Sequence, residues 1–127
     1  MPRIARDDQT NVVKYAQMPG YEGHQMEAGG YVVAFEKYET GVDFTPLYRG
    51  LPDDLCPGYH WGYVISGQLI MHRPEGDEVY SAGDAFLITP GHTPEVGDNT
   101  EFVEFTPTDV VARIEEVIRR NVQSDVT

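Results

Sequence analysis

Short runs of β-branched and aromatic residues, separated by turn signals, recur along most of this chain. Glycine, proline and aspartate cluster between the runs, as in the stretches SG, PEGD, GD and PGHTP. Strands of about four to eight residues with turns this regular predict an all-β sandwich or barrel. We expect strands at residues 30–38, 61–65, 68–72, 79–80, 85–88 and 102–105, and an edge strand at residues 44–48 that Pro46 interrupts.

The two ends of the chain differ from this pattern. Residues 1–29 are rich in glycine, glutamine and aspartate, and we expect a partly ordered arm that contributes at most an edge strand. Between Asp109 and Val122 apolar residues recur at helical spacing, with Thr108 as the expected N-cap. The prediction is a single domain with an arm (1–29), a barrel (30–106) and a C-terminal helix (107–123).

Charge and cysteine content narrow the range of partners. The net charge is −12 at pH 7, and such a surface repels phosphate backbones, so we expect neither nucleic-acid nor anionic-membrane binding. The single cysteine excludes an internal disulfide and fits a reducing compartment. Because no apolar run has the length of a signal peptide core or a membrane span, we expect a cytoplasmic protein.

Side chains that bind metals or move protons cluster just before one predicted strand. Asp53, Asp54, Cys56 and His60 lie within eight residues, and the apolar run 61–65 follows them directly. Reactive groups at the mouth of a strand are typical of a functional site carried on a β-scaffold. This stretch is therefore the candidate site.

The turn after this strand predicts which side chains face inward. A two-residue turn at Ser66-Gly67 pairs Val64 with Leu69, and cross-strand partners share a face. One face, which suits a barrel lumen with space for a substrate beside Gly62, then carries His60, Gly62, Val64, Leu69 and Met71. The other face, which suits a sheet-to-sheet or homodimer contact, carries Trp61, Tyr63, Ile65, Gln68, Ile70 and His72.

The sequence resembles a small single-domain cupin over roughly residues 30–106. The resemblance rests on the order of HWGYVISGQL, a GD turn, ITPGHTP and a terminal EFVEFTP strand. Cupins are double-stranded β-helix barrels marked by the motifs G-x5-H-x-H-x3/4-E-x6-G and G-x5-P-x-G-x2-H-x3-N. The resemblance implies a jelly-roll barrel of this type, a fold that hosts many functions.

The first cupin motif places unusual side chains at its metal positions. If Gly67 closes this motif, its glutamate position is His60 and its two histidine positions are Asp54 and Cys56. In the second motif Gly83 and Gly91 match, but the final histidine position holds a proline and His92 lies two residues earlier. The usual three histidines and one glutamate are absent, although three of the four positions still carry metal-binding side chains.

A metal centre is one hypothesis for this site. Asp54, Cys56 and His60 would ligate the ion, with His92 or water completing the shell. Thiolate, imidazole and carboxylate together suit a divalent metal such as zinc, with an open position for catalysis. The spacing D-x-C-x3-H is not a standard zinc motif.

Acid–base catalysis without a metal is the second hypothesis. Burial lowers the pKa of an imidazole, so an inward-facing His60 would be neutral and able to take a proton. Asp54 or Glu104 would orient it or act as the partner acid. This chemistry predicts a lyase, dehydratase or isomerase for a small oxygenated molecule, which is the function we favour.

The third hypothesis is a cupin that only binds a small ligand. In each case we expect a homodimer through the Trp61/Tyr63/Ile65 face or the arm.

Overall fold

Two antiparallel β-sheets face each other in the computed structural model, which describes residues 3–7, 12–14 and 18–126. In chain order the strands are β1 (Val12–Val13), β2 (Tyr21–Ala28), β3 (Tyr31–Tyr38), β4 (Val42–Asp43), β5 (His60–Ser66), β6 (Gln68–His72), β7 (Glu78–Ser81), β8 (Ala85–Ile88), β9 (Thr93–Val96) and β10 (Thr100–Pro107). One sheet has the order β1-β2-β3-β10-β5-β8 and the other β4-β9-β6-β7. A helix, α1 (Thr108–Val126), follows. The predicted all-β barrel with a C-terminal helix is confirmed.

Side-chain alternation along the strands places the core between the two sheets. In β5, His60 and Val64 are buried, whereas Trp61 and Tyr63 are exposed. Successive side chains of a strand point to opposite faces, so each sheet turns every second residue inward. The inward residues meet in one core that includes the fully buried Val64, Leu69, Ile88 and Val96.

The chain crosses from one sheet to the other at Ser66-Gly67. β5 pairs with β10 and β8, while β6 pairs with β9 and β7, so the predicted hairpin is wrong. Gly67 has a φ of 77° and packs so closely against Thr100 that a Cβ atom would have no space. Glycine adopts this conformation at no steric cost and allows the crossing.

The predicted inward face nevertheless agrees with the structure. His60, Val64, Leu69 and Met71 are all buried. The reason is that two facing sheets share one interior, so alternate residues of β5 and β6 point to the same core whether or not the strands pair.

The six-stranded sheet begins earlier in the chain than predicted. β2 pairs with β3 along its full length, so residues 21–28 belong to the barrel and not to an arm. Its sequence, YEGHQMEA, carries polar residues on both faces, and pairing with the apolar β3 outweighs its weak strand propensity. Residues 1–2, 8–11 and 15–17 of the predicted arm lie outside the described residues.

Two shorter segments also differ from the prediction. Thr45–Tyr48 forms a 3-10 turn with Pro46 in its first turn, where the fixed φ of proline fits, and is not an edge strand. The predicted loop at residues 90–94 ends early, because β9 starts at Thr93 and pairs with both β6 and β4.

Helix α1 packs its apolar stripe onto the barrel. Ile114, Val117, Ile118 and Val122 are buried, and the helix contacts β3, β10 and the turn at Thr45–Tyr48. Thr108 is its first residue, but the Oγ1 atom is buried and has no hydrogen-bond partner among the described residues, so the predicted side-chain cap does not form. No helix in the described chain is both long and apolar enough to cross a bilayer.

Candidate functional site

A cavity of about 100 Å³ lies between the two sheets under helix α1. This volume has room for several water molecules or a small ligand. Its wall is mostly apolar, but two imidazoles and three carboxyl groups also line it: His60, His92, Glu36, Glu104 and Glu115. An apolar pocket with a few convergent ionisable groups is the usual form of a small-molecule site.

His60 begins strand β5 and has a partner on each ring nitrogen. Its Nδ1 lies 2.7 Å from Oγ1 of Thr106 on the neighbouring strand β10, and its Nε2 lies 3.3 Å from Sγ of Cys56. Burial lowers the pKa of His60 to about 4, so the ring is neutral and carries one proton.

A backbone bridge to His92, in the loop before β9, holds Cys56 in place beside His60. The amide of Cys56 donates to the carbonyl of His92 at 2.8 Å, and the amide of Gly91 donates to the carbonyl of Cys56 at 2.8 Å. The side chain of Cys56 is fully buried, and burial raises its pKa to about 12. The thiol is therefore protonated and donates to Nε2 of His60, which leaves the Nδ1 proton of His60 to donate to Thr106.

His92 completes a cluster of three buried side chains. Its ring centroid lies 5.2 Å from that of His60, at an interplanar angle of 72°. Its Nδ1–H donates to the carbonyl of Thr89 at 2.7 Å, so Nε2 carries the lone pair. This Nε2 is buried and has no hydrogen-bond partner among the described residues. Burial, followed by the neighbouring His60, lowers the pKa of His92 to about 4.

The donor atoms of this cluster fit a metal ion. Sγ of Cys56 and one ring nitrogen each of His60 and His92 all lie within 4.8 Å of one another. In a tetrahedral zinc site, metal–ligand distances of about 2.0–2.3 Å place the ligand atoms roughly 3.3–3.8 Å apart. The distance from Cys56 to His60 is already in that range. The unpartnered Nε2 of His92 is the observation that favours a ligand here, because buried polar atoms normally have partners.

Two acidic side chains on neighbouring strands face the same cavity. Glu104 of β10 lies 3.9 Å from Nδ1 of His60, which is too long for a hydrogen bond, and the neutral ring makes no ion pair with it. Burial raises the pKa of Glu104 to about 7. Glu36 of β3 accepts a hydrogen bond from the Tyr38 hydroxyl at 3.0 Å, and burial together with the charge of Glu104 raises its pKa to about 8.

Sequence reasoning missed Glu36 and Glu115 as cavity residues, although each carried a signal. Glu36 is the only acidic residue in the predicted strand at residues 30–38, where Lys37 is the only other charged residue. Glu115 lies one position after Ile114 and three before Ile118 on the helix, so helical spacing places it at the edge of the apolar stripe. In the structure its carboxylate accepts a hydrogen bond from the Gln25 side chain at 3.4 Å.

The structure does not bring Asp54 to this site. Asp54 is exposed on a 3-10 turn, where its backbone φ is 59° and its Oδ1 accepts a hydrogen bond from the Gly50 amide at 3.0 Å. The motif spacing predicted that Asp54 is a metal ligand, which assumes an extended strand whose side chains alternate between two faces. The left-handed backbone at Asp53 and Asp54 is not extended, so this assumption fails. Asp54 stabilises the turn instead.

The predicted space beside Gly62 is filled by protein. A Cβ atom at this position would collide with the Phe86 ring and with the carbonyl of Val103. The glycine therefore allows β5 to approach β10 and the Phe86 ring to pack, and it does not open room for a substrate.

His72 lies outside the cavity, as predicted from its place on the outer face. Its Nδ1 and Nε2 lie 2.8 Å from carboxylate oxygens of Asp77 and Glu95, respectively. These two carboxylates raise the pKa of His72. Because both ring nitrogens are already bonded to carboxylates, His72 is a surface ion-pair residue.

Solved structures that align with this chain include cupins. An RmlC-like cupin from Shewanella frigidimarina aligns with a TM-score of 0.56 at 14% identity, covering 85% of this chain and 93% of that one. A Cupin 2 conserved barrel domain protein from Salinispora arenicola aligns with a TM-score of 0.52 at 12% identity, covering 91% and 98%. The polyketide cyclase RemF from Streptomyces resistomycificus aligns with a TM-score of 0.56 at 16% identity, covering 84% and 79%.

The chain therefore has the cupin fold, and the predicted resemblance is confirmed at that level. No protein-family model matches the sequence, and neither does any curated protein. Identities this low establish the fold alone, so the chemistry has to be argued from the site.

Proposed function

We propose that the cavity is the active site of a small-molecule lyase, dehydratase or isomerase. In this proposal Cys56, His60 and His92 hold a divalent metal such as zinc, and Glu104 moves the proton. The observation that carries the proposal is the buried, unpartnered Nε2 of His92, which shares one cluster with Cys56 and His60 at ligand spacing.

The three ligands are prepared for a metal by their surroundings. Thr106 and the carbonyl of Thr89 fix the Nδ1 protons of His60 and His92, so each ring can present its Nε2 lone pair. The Cys56 thiol loses its proton on metal binding, as a coordinating thiol does. When bound, the ion supplies Lewis-acid polarisation of a substrate oxygen.

Glu104 is the residue best placed to transfer a proton. With a pKa of about 7, its carboxyl group is present in both protonation states near neutral pH, and it lines the cavity. A general acid or base works best when its pKa lies near the working pH. Both nitrogens of His60 already have partners, which supports assigning to Glu104 the proton transfer that sequence reasoning gave to His60.

A cupin that binds a small ligand without catalysis is the second candidate. One observation favours it: the chain of hydrogen bonds from Cys56 through His60 to Thr106 is complete without a metal. A binding module of this kind would use the apolar wall for affinity and the carboxyl groups for orientation.

Metal analysis of the purified protein tests the proposal. We expect about one divalent ion per chain, with zinc bound more than about a hundredfold more weakly by a His92→Ala variant. His72→Ala is the matched control, since His72 also lies between possible ligands but outside the cavity. Equal zinc binding by wild type and His92→Ala would remove the metal from the proposal.

A second experiment separates the enzyme from the binding module. Small oxygenated molecules would be screened for binding by calorimetry, and for conversion with the bound candidates. Glu104→Gln keeps the size of the side chain, so an enzyme should retain ligand affinity and lose turnover. Binding without conversion by the wild type, across all bound candidates, would favour the binding module.

A further inference from the structure

The side chains that line the cavity include several acids and no strong base. Three carboxyl groups reach it from three different elements: Glu36 of β3, Glu104 of β10 and Glu115 of α1. No lysine or arginine is among the described residues that line it. The imidazoles of His60 and His92 are neutral, because burial lowers the pKa of each to about 4. The side chains of the cavity therefore offer a ligand negative groups and no positive ones.

The strand register places two of these acids next to each other on the inner face of the sheet. Glu36 lies directly across from Phe102, and Glu104 lies two residues further along β10. Residues two apart on a strand point to the same face, so the two carboxyl groups are diagonal neighbours. Glu104 also lies 3.9 Å from Nδ1 of His60. It therefore separates Glu36 from the proposed metal ligands.

The spacing of the three carboxyl groups favours an organic cation over a second metal ion. Metal ligands must bring their donor atoms close together, and among the described residues these three do not form a set within 4.8 Å of one another. Glu36 accepts a hydrogen bond from the Tyr38 hydroxyl at 3.0 Å, and Glu115 accepts one from Gln25 at 3.4 Å. An ammonium group has three N–H donors that point in different directions, so it can bond to acids that are further apart.

Aromatic rings surround these acids. The ring of Tyr38 has three neighbours, with centroids 4.9 Å away at Tyr21 and 6.1 Å away at both Phe44 and Phe102. All four rings line the cavity, together with that of Tyr48. Aromatic faces attract ammonium groups, and the attraction is stronger when water is excluded. Carboxylates and aromatic rings together are the chemistry that recognises an organic cation.

A separate observation shows that the cavity is not satisfied by protein groups alone. Nε2 of His92 is fully buried in the cavity wall and has no hydrogen-bond partner among the described residues, whereas buried polar atoms normally have one. The pKa of Glu36 also reflects a missing partner, since burial first and then the charge of Glu104 raise it to about 8. A positive charge beside Glu36 would favour its ionised form.

We propose that the ligand of this cavity is a small protonated amine, with its ammonium group held by Glu36 and Glu115 and its carbon atoms against the aromatic wall. This names the substrate class of the proposed active site, so it rests on the proposed function. Glu104 lies between the ammonium site and the metal ligands, where it is left to move the proton. The net charge of −12 suits such a ligand, because an acidic protein attracts cations and repels anions.

Two probes that differ in charge test the proposal by NMR. One is 3-aminopropan-1-ol, a cation at neutral pH, and the other is propane-1,3-diol, which has a hydroxyl in place of the ammonium. Labelled methionine methyl groups report the place of binding, because Met18 and Met71 line the cavity and Met26 does not. We expect the amine to shift the Met18 and Met71 signals and to bind at least about tenfold more tightly than the diol.

Three variants locate the charge that selects the amine. Glu36→Gln and Glu115→Gln each remove one carboxylate at nearly constant shape, and Glu116→Gln removes an exposed one on the same helix as the matched control. We expect the first two to weaken amine binding by about tenfold and to leave diol binding unchanged. Glu116→Gln should bind both probes like the wild type. The methionine spectrum without probe shows whether each variant has folded.

The outcomes separate this inference from the proposed function. Equal affinity for the amine and the diol overturns the inference, as do Met18 and Met71 signals that the amine leaves in place. Amine binding that Glu36→Gln and Glu115→Gln both leave unchanged also overturns it. Zinc binding without amine selectivity would leave the proposed metal centre standing and the amine wrong. Amine selectivity in a protein that binds no zinc and converts no ligand would support the amine and count against the enzyme.

Discussion

The buried histidines and His72 show how surroundings decide what an imidazole can do. Both groups lie beside residues that can bind a metal, Cys56 in the cavity and Asp43 and Glu95 on the surface. Burial lowers the pKa of His60 and His92 to about 4, whereas hydrogen bonds to Asp77 and Glu95 raise that of His72. The surface ring has both nitrogens bonded to carboxylates, while the buried rings are neutral and one keeps a free lone pair.

The difference in pKa between the buried histidines and His72 should have the largest effect on stability. The effect of pH on stability has opposite signs in the two regions. A folded-state pKa of about 4 means that the unfolded chain binds more protons than the native protein between about pH 6.5 and 4. His60 and His92 therefore destabilise the metal-free protein as pH falls through this window, by up to about 1.4 kcal/mol per pH unit for each ring. His72 stabilises the protein below its ordinary pKa, and this contribution is lost as pH rises through the raised value.

NMR titration of the histidine rings in metal-free protein measures this directly. We expect the rings of His60 and His92 to stay neutral until the pH falls to about 4, and that of His72 to remain protonated above its ordinary pKa. Urea unfolding at several pH values gives the linked stability, with His92→Gln as the variant that should lose part of the acid sensitivity. Buried rings that titrate together with His72 would erase the distinction between the two regions.

Removing a histidine should cost far more stability in the cavity than on the surface. His60→Ala leaves a cavity and deprives both Cys56 and Thr106 of a buried partner, so we expect a loss of about 3 kcal/mol in the free energy of unfolding. His72→Ala removes partly exposed ion pairs and should cost less than about 1 kcal/mol. Urea denaturation at neutral pH measures the free energy of unfolding of both variants. Equal losses of stability would contradict the expected difference between the buried and the surface histidine.

The hydroxyl of Thr106 should have a smaller effect that is specific to the buried ring. Thr106→Val leaves the Nδ1 proton of His60 without its acceptor, at a cost of about 1–3 kcal/mol in stability. Zinc binding should weaken by about ten- to a hundredfold, since the ring loses the bond that orients it. Thr106→Ser retains the hydroxyl and serves as the control. A Val variant that binds zinc like the Ser variant would exclude this positioning role.

Strand propensity and alternation carried much of the fold prediction. The runs at β3, β5, β6, β8 and β10 were found because β-branched and aromatic residues mark them locally. β2 was missed since its polar sequence becomes a strand only by pairing with β3, and β9 was missed because Pro94 and its flanking turn suggested a loop. The pairing of β5 with β6 was wrong because a tight turn at glycine can either close a hairpin or pass between sheets.

The candidate site was predicted in part, for a reason visible in its residues. His60 was placed inward correctly, since the alternation within β5 is local. Asp54 was assigned to the site from its spacing in the sequence. That spacing does not predict the position of the side chain here, because Asp53 and Asp54 have a left-handed backbone. His92 joins Cys56 through backbone hydrogen bonds between segments far apart in sequence, and no local pattern determines that contact.

By itself, the sequence determined that this chain forms a β-barrel with His60 inside and an aromatic surface outside. Both follow from side-chain alternation, which each strand enforces with its own backbone. Only the tertiary structure decided which groups share the cavity and which of their hydrogen bonds are made. The free lone pair of His92 and the raised pKa of Glu104 depend on desolvation and on non-local partners, which exist only when the two sheets and the helix have packed.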